Sequence, residues 1–255
     1  MKISLITVTF NSEKYLSHCI ESVLSQTHQN IEHIIIDGNS TDGTVSIIKQ
    51  YQHSISSWIS EPDKGMYDAI NKGLKLATGD VVGILNSDDM LASKDAIASI
   101  VKTFEEQNVD SVYGDLEYVD KQNPNRVFRV WKGKTYSRNL FKLGWMPGHP
   151  TFYIKKSAID SFGGYENHYH TAADYEFMAR YLYKHKISSF YLPKLIVKMR
   201  TGGASNKNLN QRIRANRRDY LAMKVNTIPL PFVVSILKPL IKMHQFNIAV
   251  NIGIL

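Results

Sequence analysis

Apolar runs rich in β-branched residues alternate four times with helical patterns over roughly the first ninety residues, and few folds accommodate that rhythm. Residues 2–9 read as a first strand, and Leu16, Cys19, Ile20, Val23 and Leu24 follow at the three-and-four spacing of an amphipathic helix. Residues 31–36 read as a second strand, with a helix through Val45, Ile47 and Ile48 behind it. A third strand is expected near residues 55–60, then a helix carrying Ala69, Ile70, Gly73, Leu74 and Ala77. The fourth strand, residues 81–85, is apolar without polar alternation, as a strand covered on both faces must be. This order predicts an α/β fold with a parallel sheet and right-handed crossovers.

Parallel strands end at one edge of their sheet, and in open α/β sheets ligands sit there. The polar residues at those ends are Thr9 and Asn11, Asp37, Asp63 and Lys64, and the adjacent pair Asp88 and Asp89. Neighbouring carboxylates repel, so they need a cation, several donors or full solvation. A divalent metal holding a diphosphate is one such cation, and it takes hard oxygen ligands. A turn, or a cap for the helix expected near Ser93, is the plainer use of the same residues. Asp37 can accept from the imide N–H of uracil, thymine or guanine, or it can simply close the Asp-Gly turn it begins. Lys64 can meet phosphate as a point charge or stand solvated. Neither a Gly-x-Gly-x-x-Gly fingerprint after the first strand nor a Gly-Lys-Ser/Thr phosphate loop is present.

The chain has 255 residues, 43% of them hydrophobic, enough for one large domain or a domain with a tail. Its single cysteine, Cys19, cannot form an internal disulfide, and the first apolar run breaks at Asn11-Ser12-Glu13 without a cleavage site. Export is not indicated, and a cytoplasmic location is expected. The net charge of +8 suggests nucleic acid until its distribution is counted. Of 31 Lys+Arg and 23 Asp+Glu, residues 200–255 hold nine and one, which leaves 22 of each in the body. A basic end on a neutral body points to an anionic surface met by one part of the molecule, not to a nucleic-acid protein.

The second half changes character. Residues 112–119, a turn at Asn123-Pro124-Asn125, and residues 127–131 read as a hairpin in a mixed or antiparallel extension of the sheet. Thr171-Ala172-Ala173-Asp174-Tyr175-Glu176-Phe177 opens a helix whose Phe177, Tyr181 and Leu182 pack inward. Asp174 lies in its first turn, where a carboxylate commonly caps a helix.

Several segments together resemble the family 2 glycosyltransferases of the GT-A fold, in the branch that builds bacterial surface polysaccharides. They are Thr7-Val8-Thr9-Phe10-Asn11, Ser22-Val23-Leu24-Ser25-Gln26-Thr27, Asp37 to Thr44, Glu61 to Ala69, and Leu85-Asn86-Ser87-Asp88-Asp89. The resemblance covers residues 1 to about 200 in the family's order. It implies a mixed sheet flanked by helices, with Thr9, Asn11, Asp37, Asp63, Lys64, Asn86 and Asp88 lining a nucleotide-sugar site. It also implies that Asp88 contacts ribose or metal and that Asp89 binds Mn2+ or Mg2+ on the donor diphosphate. Asn86 departs from the first acid of an Asp-x-Asp motif, which moves the expected ligation mainly to Asp89. Gly148-His149-Pro150 resembles an element beside the donor site, where His149 is either a site residue or a hydrogen-bonded structural histidine. An acid at the place of Asp174 is the family's general base, with Glu176 the second choice.

The implied reaction is a single inverting displacement, in which a UDP-type sugar passes to a glycan or lipid-linked saccharide hydroxyl. A sugar-1-phosphate nucleotidyltransferase is the alternative enzyme, but it needs a Gly-rich, Arg-containing loop that Thr9-Phe10-Asn11-Ser12 does not supply. A non-catalytic nucleotide-sugar module is the other alternative. Residues 1–205 are expected to form the catalytic domain, 1–110 for the donor and 111–205 for the acceptor, and 206–255 a basic helical extension. In that extension residues 208–225 read as an amphipathic helix with Arg212, Arg214, Arg217, Arg218 and Lys224 beside Leu209, Ile213, Tyr220 and Leu221. Residues 229–243 are apolar but broken by Lys238, Pro239 and Lys242, too short to span a bilayer. The tail therefore either lies on an anionic membrane, at the inner face of the plasma membrane, or packs back on protein. Oligomerisation is left open.

Overall fold

The computed structural model describes residues 1–202 and 209–235. Strands β1 (Ile3–Thr9), β2 (Ile31–Asp37), β3 (Ser57–Ser60) and β4 (Val81–Ile84) alternate with helices α1 (Leu16–Leu24), α2 (Thr44–Tyr51) and α3 (Met66–Leu76). Their pairing is parallel throughout: β1 lies between β2 and β4, and β3 flanks β2. Every residue of β1 and β4 is buried, as strands covered on both faces are, and β1 takes Ser4, Thr7 and Thr9 inside with its apolar residues. Each fully buried Ile, Leu or Val of these strands contributes about 1.5–3 kcal/mol of transfer free energy.

On α1 the buried stripe is Leu16, Cys19, Ile20 and Val23. Leu24, expected on that stripe, is 46% exposed, because at about 100° per residue it stands a quarter-turn away from Val23. The third strand starts two residues later than expected. Ile55 is buried ahead of it, packed with Leu16, Ile20, Ile35 and Ile48.

The second half wraps back over the first. It comprises β5 (Met90–Leu91), α4 (Ala96–Gln107), β6 (Ser111–Val119), β7 (Val127–Trp131), α5 (Arg138–Phe141), β8 (Tyr153–Lys155), α6 (Lys156–Phe162), α7 (Ala173–Met178), β9 (Ser189–Arg200) and α8 (Leu209–Val225). The turns His149–Thr151 and Asn167–Ala172 are 3-10 segments, and α7 runs on as a π-helix, Ala179–Lys184. β6 and β7 form the expected antiparallel hairpin.

Among the described residues nine strands make one mixed sheet in the order β3-β2-β1-β4-β8-β6-β9-β5, with β7 on β6. β8 is the seam, antiparallel to both β4 and β6. There the Tyr153 ring lies against Gly83, where any Cβ would collide with it. Beyond the seam β6 and β9 run parallel, from Ser111 opposite Ser189 to Val119 opposite Arg200.

Helix α8 packs on Asn167–Ala172 and on α7. Its buried positions are Ala222 and Met223, with Asn226 just past its end. Leu221, read with Leu209, Ile213 and Tyr220 as the apolar side of the helix, is 44% exposed. No helix among the described residues is long and apolar enough to cross a membrane. Lys238, Pro239 and Lys242 lie outside the described residues.

Candidate active site

Parallel pairing brings the ends of β1, β2 and β4 to one edge. Thr9 and Asp37 are register partners there, and the Gly38 N–H donates to the Thr9 carbonyl at 2.9 Å. Asp37 is fully buried. Its Oδ2 accepts from the Ser40 N–H at 3.0 Å and from Ser60 Oγ at 2.6 Å, and its Oδ1 from Ser40 Oγ at 2.5 Å. A carboxylate offers about four acceptor positions, so roughly one is left for a ligand. Asn11 adopts a left-handed φ of 48°, which Asn tolerates. Its N–H donates to Ser40 Oγ at 2.8 Å and its Oδ1 accepts from the Thr41 N–H at 2.9 Å, tying the loops after β1 and β2 together.

The loop after β3 reaches the same place. The Asp63 carboxylate lies against Gly38, where a Cβ would collide with it, and the Phe10 ring borders the same position. Phe10 is 61% exposed, an aromatic face open to solvent beside the strand ends. Asp63 Oδ1 accepts from the Gly65 N–H at 2.7 Å. The Lys64 N–H donates to Asp68 Oδ2 at 3.0 Å, and its side chain is exposed.

The loop after β4 is pinned by the Ser87 N–H, which donates to the Val8 carbonyl at 3.3 Å, and by Ser87 Oγ, 2.9 Å from Ser12 Oγ. Asp89 is fully buried, and both its carboxylate oxygens are engaged. Oδ2 accepts from Asn86 Nδ2 at 3.0 Å and Oδ1 from the Arg200 N–H at 3.2 Å. Asp88 is half-buried, and the neighbour that holds it takes its main-chain oxygen. Burial pushes Asp89 well above the usual carboxylate range and the Asp88 charge adds to this, while Asn86 and Arg200 oppose it. Burial also raises Asp88, against its own backbone hydrogen bond and the charges of Arg200 and Lys121. The pair is short of positive charge.

Two further oxygens at this edge, Thr9 Oγ1 and Asn86 Oδ1, are buried without a hydrogen-bond partner. With Asp88 and Asp89 they form a set of hard oxygen donors, which suits a divalent cation or a polar ligand.

Arg200 was not among the residues expected from sequence. It is 2% exposed at the end of β9, and it donates from Nε to the Lys121 carbonyl at 3.1 Å and from Nη1 to the Asp88 carbonyl at 2.7 Å. Its Nη2 lies 3.2 Å from His18 Nδ1, and its guanidinium sits 5.0 Å over the Tyr15 ring. The available signal was a lone arginine closing an apolar strand, which a reading fixed on carboxylates passes over.

Asp174 stands at the start of α7, partly exposed, with its Oδ1 accepting from the Tyr175 N–H at 2.7 Å. That bond satisfies one free N–H in the first turn of α7, a partial cap, while Ala172 at the N-cap position supplies none. Burial raises the Tyr67 phenol, the Asp174 charge adds to this and its main chain opposes it, and Tyr67 stacks on Tyr165 at 5.5 Å. The Tyr165 hydroxyl is 2.7 Å from Nε2 of the buried His149. Burial holds His149 below the usual imidazole range, with the Asp174 charge opposing.

Tyr118, on β6, links the two acidic regions. Burial raises its phenol and Arg129 lowers it, while the charges of both Asp89 and Asp174 add to the rise. Glu176, the second choice for a base, is committed elsewhere. It is 3% exposed, and its two oxygens accept from Arg180 Nε and Nη2 at 3.1 Å each. Arg180 also donates to the carbonyls of Phe162, Gly163 and Gly164.

Comparison with known proteins agrees with this geometry. Residues 4–162 match the family described as glycosyl transferase family 2. A PGL/p-HBAD biosynthesis glycosyltransferase of Mycobacterium bovis is 30% identical over 208 residues, covering 80% of this chain and 78% of that protein. The crystal structure of S. aureus TarS 1-349 in complex with UDP-GlcNAc has a TM-score of 0.68 at 20% identity, over 90% of this chain and 67% of that one. Mannosyltransferase PcManGT from Pyrobaculum calidifontis, in complex with GDP-Man and Mn2+, has a TM-score of 0.64 at 18% identity, over 93% and 68%. Sequence over most of the chain and the path of its backbone lead to the same place: the protein belongs to glycosyl transferase family 2 and has the GT-A fold.

Proposed function

We propose that this chain transfers a sugar, with inversion, from a UDP-type donor to a hydroxyl of a glycan or lipid-linked saccharide in surface-glycan assembly. The observation that carries this reading is the gathering at one sheet edge of Asp37, the Asp88–Asp89 loop and the partnerless oxygens of Thr9 and Asn86, with Asp174 taken as the acid of the acceptor side. A donor diphosphate has its place at that edge and an acceptor hydroxyl at Asp174.

In this reading Thr9, Asn11, Asp37, Asp63 and Lys64 hold the nucleotide, with the Phe10 ring beside the base. The acceptor position left on Asp37 suits an imide N–H. His149 supports the sugar side through Tyr165. Asp88 and Asp89, with Asn86 Oδ1, would hold Mn2+ or Mg2+, which neutralises the diphosphate leaving group when bound. Asp88 is the more exposed of the two, and Asp89, positioned by one hydrogen bond on each oxygen, keeps about two acceptor positions for the ion. Among the described residues no three His, Cys, Asp or Glu side chains gather to cage an ion. Remaining ligands then come from diphosphate and water, as is usual where Mg2+ binds through one or two carboxylates.

Asp174 Oδ2, opposite the oxygen taken by the Tyr175 N–H, receives the proton of the acceptor hydroxyl. The acceptor oxygen bonds to the anomeric carbon as the bond to the phosphate oxygen breaks, and the nucleoside diphosphate leaves. Residues 1–205 serve as the catalytic unit and 206–255 as a basic extension.

The test is a panel of nucleotide sugars with Mn2+ or Mg2+ and saccharide acceptors. A UDP-sugar should raise the melting temperature and release UDP, and chelation should slow that release. With UTP and a sugar 1-phosphate supplied instead, release of pyrophosphate would identify a nucleotidyltransferase, and stabilisation without turnover on any acceptor a binding module. Absence of stabilisation by every nucleotide sugar sinks the reading.

A further inference from the structure

We propose that the outward face of α8 and the turn after it dock on an anionic lipid bilayer. At 3.6 residues per turn, Arg214, Arg217, Arg218, Leu221, Lys224 and Val225 fall within an arc of about 120°. Ala222, Met223 and Asn226 occupy the other side and are buried against the body. The cations and the two apolar residues therefore share the free face. Leu221 is 44% and Val225 48% exposed, and just beyond them Leu230 is 71%, Phe232 67% and Val233 46% exposed. Half of the exposed large apolar side chains among the described residues fall within this short stretch. Single exposed apolar residues are ordinary, whereas a contiguous group marks an interaction surface.

Charge selects the occupant. Residues 200–255 carry nine Lys+Arg and one acid, while the rest of the chain is balanced. Cations flanking exposed leucine and phenylalanine match phosphate headgroups above acyl chains. A nucleic acid would use the cations and leave the apolar side chains in water. A two-fold dimer through this patch would set like charges against each other. The proposed contact is interfacial, with the apolar side chains entering the headgroup region and the cations at the phosphates.

The surface is tied to the site. Asn226 Nδ2 donates to Glu176 Oε1 at 3.3 Å, and Glu176 lies two residues from Asp174 on α7. Docking through α8 therefore turns the Asp174 side of the molecule toward the membrane, where a lipid-linked acceptor is presented. That last step rests on the proposed function; lipid binding itself does not.

The test is co-sedimentation of the full chain with vesicles of phosphatidylcholine alone or with added phosphatidylglycerol, with UDP-sugar stabilisation read on the same preparations. The native chain should sediment with the anionic vesicles and stay largely free of the neutral ones. Each Lys or Arg at an anionic surface is worth about fivefold in affinity. Combining Arg214→Gln, Arg217→Gln and Lys224→Gln should thus weaken binding roughly 100-fold. Leu230→Ser with Phe232→Ser should weaken it by more than about tenfold. Both variants lie on the exposed face and should keep donor stabilisation. The proposal is overturned if the native chain ignores anionic vesicles, if both variants bind as the native chain does, or if the apolar variant loses self-association while keeping lipid binding. Failure of the transferase reading would show instead as lost donor stabilisation with vesicle binding intact.

Discussion

Arg200 Nη1 donates to the main-chain oxygen of Asp88 at 2.7 Å, and the Arg200 N–H donates to Asp89 Oδ1 at 3.2 Å, so one buried residue holds both acids of the loop after β4. Removing the cation leaves two raised carboxylates without their nearest positive charge. Arg200→Met should lower unfolding free energy by about 3 kcal/mol in urea titration. Arg200→Lys keeps the charge but not the fork that reaches Lys121, Asp88 and His18 together, and should fall between. Native-like stability in the Met variant would show that the clamp is idle.

Asp174→Asn keeps the shape of the acceptor side and removes the group that takes a proton. Donor affinity, measured by calorimetry, should stay within about twofold, while UDP release onto acceptor falls by about 10²–10⁴. Equal losses in both would move Asp174 from proton transfer to donor binding.

Glu176 and Arg180 form a buried pair, their side chains 4% and 11% exposed, and Arg180 fastens the segment after α6. Glu176→Gln leaves that guanidinium without its charge partner and should cost about 3 kcal/mol in stability. Donor KM should not move, which separates this acid from Asp174.

His33 sits fully inside β2, with Nε2 3.0 Å from Thr7 Oγ1, and burial holds its imidazole down to about 4 from an ordinary 6.5. The unfolded chain gains a proton near pH 6.5 and the folded chain only near pH 4. The folded state is therefore penalised progressively as pH falls through that window, by up to about 3 kcal/mol at its lower end. Urea midpoints for the native chain and His33→Gln should converge as pH drops from 7 toward 4, because the variant lacks this titration. A constant gap would assign the acid sensitivity to other groups.

The donor half was legible because its rules are local. Apolar runs gave β1 to β4, and parallel pairing then had to carry Thr9, Asp37, Asp63 and Asp88 to one edge. Helix faces were legible to within a residue, so Leu24 was misplaced where a stripe ends, while which way Leu221 faces was settled only by what α8 packs on. What sequence could not give was anything fixed by distant pairing. The β8 seam, the β6–β9 pairing and Arg200 each depend on partners far along the chain, and no spacing rule encodes them. The hold of Asn86 and Arg200 on the buried Asp89, beside a half-buried Asp88, likewise emerged only in three dimensions.

The parallel pairing of β6 with β9 sets an order of assembly. Residues of β1 to β4 find their neighbours early as the chain is made, but the loop after β4 waits for a strand end 112 residues downstream of Asp88. Until β9 arrives, an acid destined for the interior has no main-chain donor from that side, and the nascent protein carries an unfinished centre. Products truncated before β9 could be folded in their first half yet inert, which makes completion of the last strand the moment at which the molecule becomes competent.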